Sequence, residues 1–153
     1  MRWLPLVAVV LMLVLAEVAA AATPAAYRTK VNGICRGYSP TLKKLATQVN
    51  HADAAKDYRT WGVAVSKWLT LDLTEDRGVE AVPVPAPLEA EMSPILVRMK
   101  KLDAHSRAAL VDQKAGKLQA LVSELLTIGE LRTPLSHALD AVGLKDCGSN
   151  QPA

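Results

Sequence analysis

An all-α fold, an antiparallel up-down four-helix bundle with kinked helices stapled by one disulfide, follows from three features of the sequence. Apolar residues recur at steps of three and four in four successive segments, and no segment shows the period-two alternation of a strand. A proline-alternating stretch divides these segments into two pairs. Two cysteines, Cys35 and Cys147, stand 112 residues apart near the ends of the patterned region.

The chain opens with Met1 and Arg2, an apolar block from Trp3 to Ala16, Glu17, and a small-residue stretch from Val18 to Ala22. This is the layout of a secretory signal peptide, with cleavage expected after Ala20 or Ala22. The apolar block is shorter than the roughly 20 residues of a membrane span. An uncleaved anchor is the alternative, and Glu17 opposes it, because a carboxylate near mid-bilayer costs a few kcal/mol. No cysteine follows to accept a lipid anchor. Residues 1–22 are therefore read as a leader, 23–148 as one helical domain and 149–153 as a disordered tail. The expected location is secreted or extracytoplasmic, in the cell envelope. In that setting two cysteines pair most simply with each other. A nucleophilic thiol is disfavoured, because no His or Asp is grouped around either one.

In the first helix Tyr27, Val31, Ile34, Tyr38, Leu42, Leu45 and Val49 share one stripe, with Cys35 beside it. Ser39-Pro40 predicts either a kink or a restart. The second helix is expected from an Asp53 cap to about Thr74, with Tyr58, Trp61, Val65, Trp68 and Leu69 inward and Gly78 closing the pattern. Val82 to Pro87 reads V-P-V-P-A-P, a stiff polyproline-like crossover. The third helix starts between Leu88 and Pro94, with Ser93-Pro94 as cap and first-turn proline. Leu88, Met92, Ile95, Met99, Leu102, Ser106 and Ala109 form its stripe, and Gly116 ends it. Leu118, Leu121, Val122, Leu125, Ile128, Leu135, Leu139 and Val142 trace the fourth, with a kink expected at Thr133-Pro134. Gly143-Leu144 has the sequence of a Schellman stop.

Chemistry-bearing patterns are few. Glu-x-x-His, C-x-x-C-H, H-E-x-x-H, P-loop and dinucleotide-glycine patterns are absent from the sequence, and His51, His105 and His137 stand one per segment. Asp103 near His105 and Asp140 near His137 read as solvated helix pairs. No catalytic residue, metal ligand or cofactor is assigned.

The formal net charge is +3 and stays there when Arg2 and Glu17 leave with the leader. Arg28, Lys30, Arg36, Lys43 and Lys44 precede the next acid, Asp53, which marks a possible contact surface for an anionic envelope component. Nucleic acid is a disfavoured partner, since these cations are not interleaved with exposed-looking aromatics. Trp61, Trp68, Met92 and Met99 form the candidate pocket between helices.

Tyr27 to Cys35 (Y-R-T-K-V-N-G-I-C), Pro40 with Leu42 and Leu45, the central prolines, and Val142-Gly143-Leu144-x-x-Cys147-Gly148 together resemble a loose group of uncharacterised exported or lipid-anchored helical proteins of bacteria. The group has an N-x-I-C start and an L-G-x-x-x-C finish. The resemblance covers nearly all of residues 23–153 and implies a disulfide-stapled helical bundle in the cell envelope, with no activity attached. This chain lacks the lipid-attachment cysteine of the anchored members. The expected function is that of an exported, non-enzymatic structural or interaction protein with an unidentified protein or envelope partner. The alternative is a small-ligand carrier. Oligomeric state is left undetermined.

Overall fold

A computed structural model describes residues 23–151. The leader expected at residues 1–22 and the last two tail residues lie outside that range. Four helices run α1 Pro24–Ala54, α2 Tyr58–Glu80, α3 Glu89–Lys114 and α4 Leu118–Ala141. They form the all-α bundle that the periodicity predicts.

Each helix start has a local cause. Thr23 Oγ1 accepts from Ala26 N at 3.2 Å and Pro24 occupies the first turn, where its missing N–H leaves nothing unpaired. The cap of α2 is Asp57 and not Asp53. Asp57 accepts from both Thr60 N (3.0 Å) and Thr60 Oγ1 (2.6 Å), whereas the residue three beyond Asp53 is Lys56, which offers no hydroxyl. Asp53 instead lies in the last turn of α1.

The two hairpins turn through loops of the same design. Lys56 N and Asp57 N donate to Asp53 O and Ala52 O, and Gly116 N and Lys117 N donate to Gln113 O and Asp112 O. Both loops are Schellman closures with a left-handed residue after the C-cap, Gly116 at φ 70° in one and Lys56 at φ 57° in the other. A side chain in that conformation is strained by roughly 1–2 kcal/mol, part of which the unfolded-state entropy of glycine offsets. Lys56→Gly is therefore expected to raise stability by about 0.5–1 kcal/mol, measured as the urea midpoint. A lower midpoint would show that strain does not dominate there.

Pro40, Pro94 and Pro134 all lie inside continuous helices. Ser93-Pro94 does not cap α3. The helix begins at Glu89 after a 3-10 turn at Ala86–Leu88, and Glu89 and Glu91 suit its positive N-terminal end. Before that turn Pro85 has φ −70° and ψ 143°, the polyproline conformation expected of the crossover. Gly78 does not end α2 either. A Cβ there would meet Ile34 Cγ2 at 3.3 Å, so this glycine lets α1 and α2 approach.

α1 packs along α2 and α3 along α4, and the hairpins meet chiefly through α2 and α3. No extensive contact joins α1 to α4. Between them runs the C-terminal segment, residues 142–151, in a series of turns. It leaves α4 through a third Schellman closure, Gly143 at φ 84° with Leu144 N donating to Leu139 O at 2.8 Å. Arg28 Nε donates to Val142 O (2.7 Å), and Asn32 bonds Gly143 O (3.0 Å) and Asp146 N (3.1 Å). Cys147 then closes the disulfide with Cys35, with the Cα atoms 5.1 Å apart.

Ser149 to Gln151, expected within a disordered tail, have defined partners. Ser149 N donates to Asp140 Oδ1, and Gln151 Nε2 donates to Cys35 O. Gly148 makes this possible: a Cβ there would fall 2.8 Å from Ser136 O and collide with Asp140 Oδ1. The main core gathers Tyr27, Val31, Leu69, Met92, Met99, Leu102, Ile128, Leu139 and Leu144 around Cys35.

Candidate functional site

From Trp61 the inner stripe of α2 continues through Val65 and Trp68 to Asp72, Glu75, Asp76 and Val79, at steps of three and four. A helix ended at about Thr74 leaves Glu75, Asp76 and Val79 outside it. In the structure Asp72 and Glu75 are each only 5 % exposed. On α4 the stripe Leu125, Ile128, Leu135 passes through Arg132. The same phase arithmetic would have placed that guanidinium inside.

Arg132 Nη2 donates to Asp72 Oδ2 at 2.5 Å, and its Cζ lies 4.8 Å from the centroid of the Trp68 ring. The cation is thus held on two sides, by a carboxylate and by an aromatic face. Gln151 Nε2 reaches in from the C-terminal segment and donates to Glu75 Oε1 at 3.0 Å. From α3, Asp103 is also buried. Its Oδ2 accepts from Arg107 Nη2 at 3.0 Å, and the Asp76 carboxyl lies against it.

These groups edge a cavity of about 420 Å³ bounded by α2, α3, α4 and the C-terminal segment. Trp68, Met99, Leu102, Leu125 and Ile128 supply apolar wall, and Asp72, Glu75, Asp76, Arg132 and Gln151 supply polar wall. Glu75 Oε2 and Gln151 Oε1 are buried without partners. Exposed residues Gly129, Thr133 and His137 also line the cavity and place its rim on the α4 side.

Four carboxyls around one central guanidinium cannot all ionise at low cost in a buried site. Burial, then the neighbouring Asp72, push Glu75 up to about 8, with Arg132 opposing them. Asp76 is held well above the ordinary carboxylate range by burial, by Asp72 and by its hydrogen bond with Asp103. Burial alone would lower the Arg132 pKa, but Asp72, Asp76 and Glu75 outweigh it and raise it.

The consequence for stability has a definite sign. The fold retains protons on Glu75 and Asp76 that the unfolded chain releases near 4.5 and 3.8. Their contribution is full below those values and is lost as pH rises, for Glu75 through about 8. The urea midpoint is expected to fall between pH 5 and pH 9, by up to about 1.4 kcal/mol per pH unit for each retained proton. Glu75→Gln should match the parent at pH 5 and exceed it at pH 9. A midpoint that rises across that interval would overturn the assignment of buried, protonated carboxyls.

Of the four pocket residues expected from sequence, Trp68 and Met99 line this cavity. Met92 is fully buried in the core, and Trp61 packs half-buried against it. The five cations of the expected contact surface divide. Arg28 binds Val142 O and Arg36 pairs with Asp146 at 3.1 Å, both holding the C-terminal segment, while Lys30, Lys43 and Lys44 are exposed. Lys43 and Lys44, one residue apart, point about 100° from each other around α1.

Of the two helix pairs read as solvated, Asp103 with His105 differs from expectation, while Asp140 beside the exposed His137 gains a backbone partner. Asp103 is buried, His105 Nδ1 lies 2.7 Å from Glu124 Oε2 across α3 and α4, and Asp140 accepts from Ser149 N. Among the described residues no three His, Cys, Asp or Glu side chains are arranged to hold a metal ion. Nor is any described helix long and apolar enough to cross a membrane. No family model, no curated protein and no solved structure matches the chain.

Proposed function

We propose that the protein is a non-catalytic binder of a small ligand, held in the cavity between α2, α3 and α4, and that it works in an oxidising, extracytoplasmic compartment. The observation that carries the ligand reading is the cavity itself. At about 420 Å³ it exceeds the roughly 150 Å³ that suffices for benzene, and it pairs an apolar wall with a few convergent polar groups, with unpartnered atoms on Glu75, Arg132 and Gln151 among them. The Cys35–Cys147 bridge and the signal-like segment at residues 1–22 support the compartment. The fixed acid-guanidinium network serves to shape and polarise the site.

Tryptophan emission tests the reading. Benzyl alcohol, a neutral probe small enough to enter the cavity, should shift or quench the emission saturably. The response should be lost in Trp68→Phe, whose side chain lines the cavity, and kept in Trp61→Phe, whose side chain does not. An absent or unsaturable response, or one that follows Trp61, would overturn the reading. Mass spectrometry of the natively purified protein then identifies what it retains.

A further inference from the structure

Resting on the reading of the cavity as a ligand site, we infer that its ligand is a small organic cation, an ammonium group carried on an apolar body, seated against Glu75 Oε2 and Gln151 Oε1. Three carboxyls, Asp72, Glu75 and Asp76, line the cavity with Arg132 as the guanidinium among them. Asp72 matches the Arg132 charge, and Asp76 lies against the Asp72 and Asp103 carboxyls, the latter also paired with Arg107. That leaves Glu75, 5 % exposed, with Oε1 taken by Gln151 Nε2 and Oε2 without a partner. The oxygen of the same Gln151 amide is also unpartnered. Once Glu75 is ionised, these two buried acceptors, on side chains already joined by a hydrogen bond, suit an ammonium group, which brings three N–H donors and a charge.

Electrostatics favour the same class. A buried carboxyl whose only neighbouring cation is already paired with another carboxylate keeps its proton, as Glu75 does beside the Arg132–Asp72 pair. An entering ammonium supplies the missing charge, so Glu75 releases its proton to solvent and an ion pair replaces the neutral carboxyl. An anionic ligand meets no free cation on this wall, because Arg132 is committed to Asp72 and the Trp68 face; its Nε–H is unpartnered, but its charge is already matched. A neutral ligand gains the apolar wall alone. The charged and titratable groups facing Glu75 are Asp72 and Asp76 on its own helix, Asp103 with Arg107 on α3, and Arg132 with the rim residue His137 on α4. Trp68, Met99, Leu125 and Ile128 would take the apolar body.

Calorimetric titration of the disulfide-intact protein at pH 6.5, in two buffers of different ionisation enthalpy, decides the matter. The probes are benzylammonium, benzyl alcohol and benzoate. Benzylammonium is expected to bind at least about tenfold more tightly than benzyl alcohol, releasing close to one proton per site, and benzoate more weakly than either. Glu75→Gln should abolish the proton release and the preference for the cation, while benzyl alcohol still binds. If benzyl alcohol binds the parent as tightly as benzylammonium, or if benzylammonium binds without proton release or with no response to Glu75→Gln, the cation inference is wrong and the cavity reading stands. If none of the three binds, both are wrong.

Discussion

Arg132→Met is expected to lower the unfolding free energy at pH 7 by roughly 3–5 kcal/mol, the usual consequence of removing one partner from a buried ion pair. Methionine nearly fills the volume of the arginine stem, so the loss reports the stranded charge more than a hole in the packing. Asp72, 5 % exposed, would keep no cation within reach in its place, and Trp68 would lose the guanidinium on its face. Adding Asp72→Asn should recover a large part of the loss, because a neutral amide removes the unpaired charge. Urea denaturation of the parent, both single variants and the double variant forms the cycle that measures the coupling. A single-variant loss below about 1 kcal/mol, or no recovery in the double variant, would mean that water reaches the pair and screens it.

Removing the bridge with Cys35→Ala and Cys147→Ala together should cost roughly 4 to 5 kcal/mol on the chain-entropy model, given a separation of 112 residues. For a domain near this size that corresponds to a fall in Tm on the order of 10–20 °C. Most of the effect belongs to the unfolded chain, which without the cross-link gains the freedom of its longest loop. The urea m-value should therefore rise with the deletion, since the unlinked denatured ensemble exposes more surface. In the folded state the segment keeps Arg28 on Val142 O, Asn32 on Gly143 O and the Arg36–Asp146 pair. Local order of residues 142–151 is thus expected to survive in the folded variant, which amide exchange can follow. A loss below about 1 kcal/mol with an unchanged m-value would contradict the entropic account.

The helical segments were legible because a stripe with a period of 3.6 is a direct consequence of burying one face, and Tyr27, Val31, Leu42, Leu45, Met92, Ile95, Met99 and Leu102 all fall where that period puts them. Boundaries were less so. Asp53, Gly78 and Ser93-Pro94 each carry a local terminus signal, and each lies within a helix. A proline removes one hydrogen bond and a glycine lowers propensity by about 1 kcal/mol, and burial of flanking apolar residues outweighs both. Lys56 shows the reverse case, a left-handed helix end with no glycine to announce it. The cavity was half visible, as Trp68 and Met99 mark one wall. Its polar wall was obscured because the carboxylates of α2 carry the same letters whether they face water or a guanidinium two helices away.

By itself the sequence determined the all-α class, the two hairpins with their crossover, the Schellman stops at Gly116 and Gly143, and the pairing of the only two cysteines. These are set by local backbone preference, by periodic burial, or by there being no other choice. Only the tertiary structure decided that the bridge clasps α1 to a C-terminal segment instead of to α4. It also decided that Asp72, Glu75, Asp76, Asp103 and Arg132, drawn from three helices, share one buried site. The physical reason is that burial of charge is a property of the assembled interior: a carboxyl acquires its environment from what packs opposite it, which residue spacing along one helix does not record.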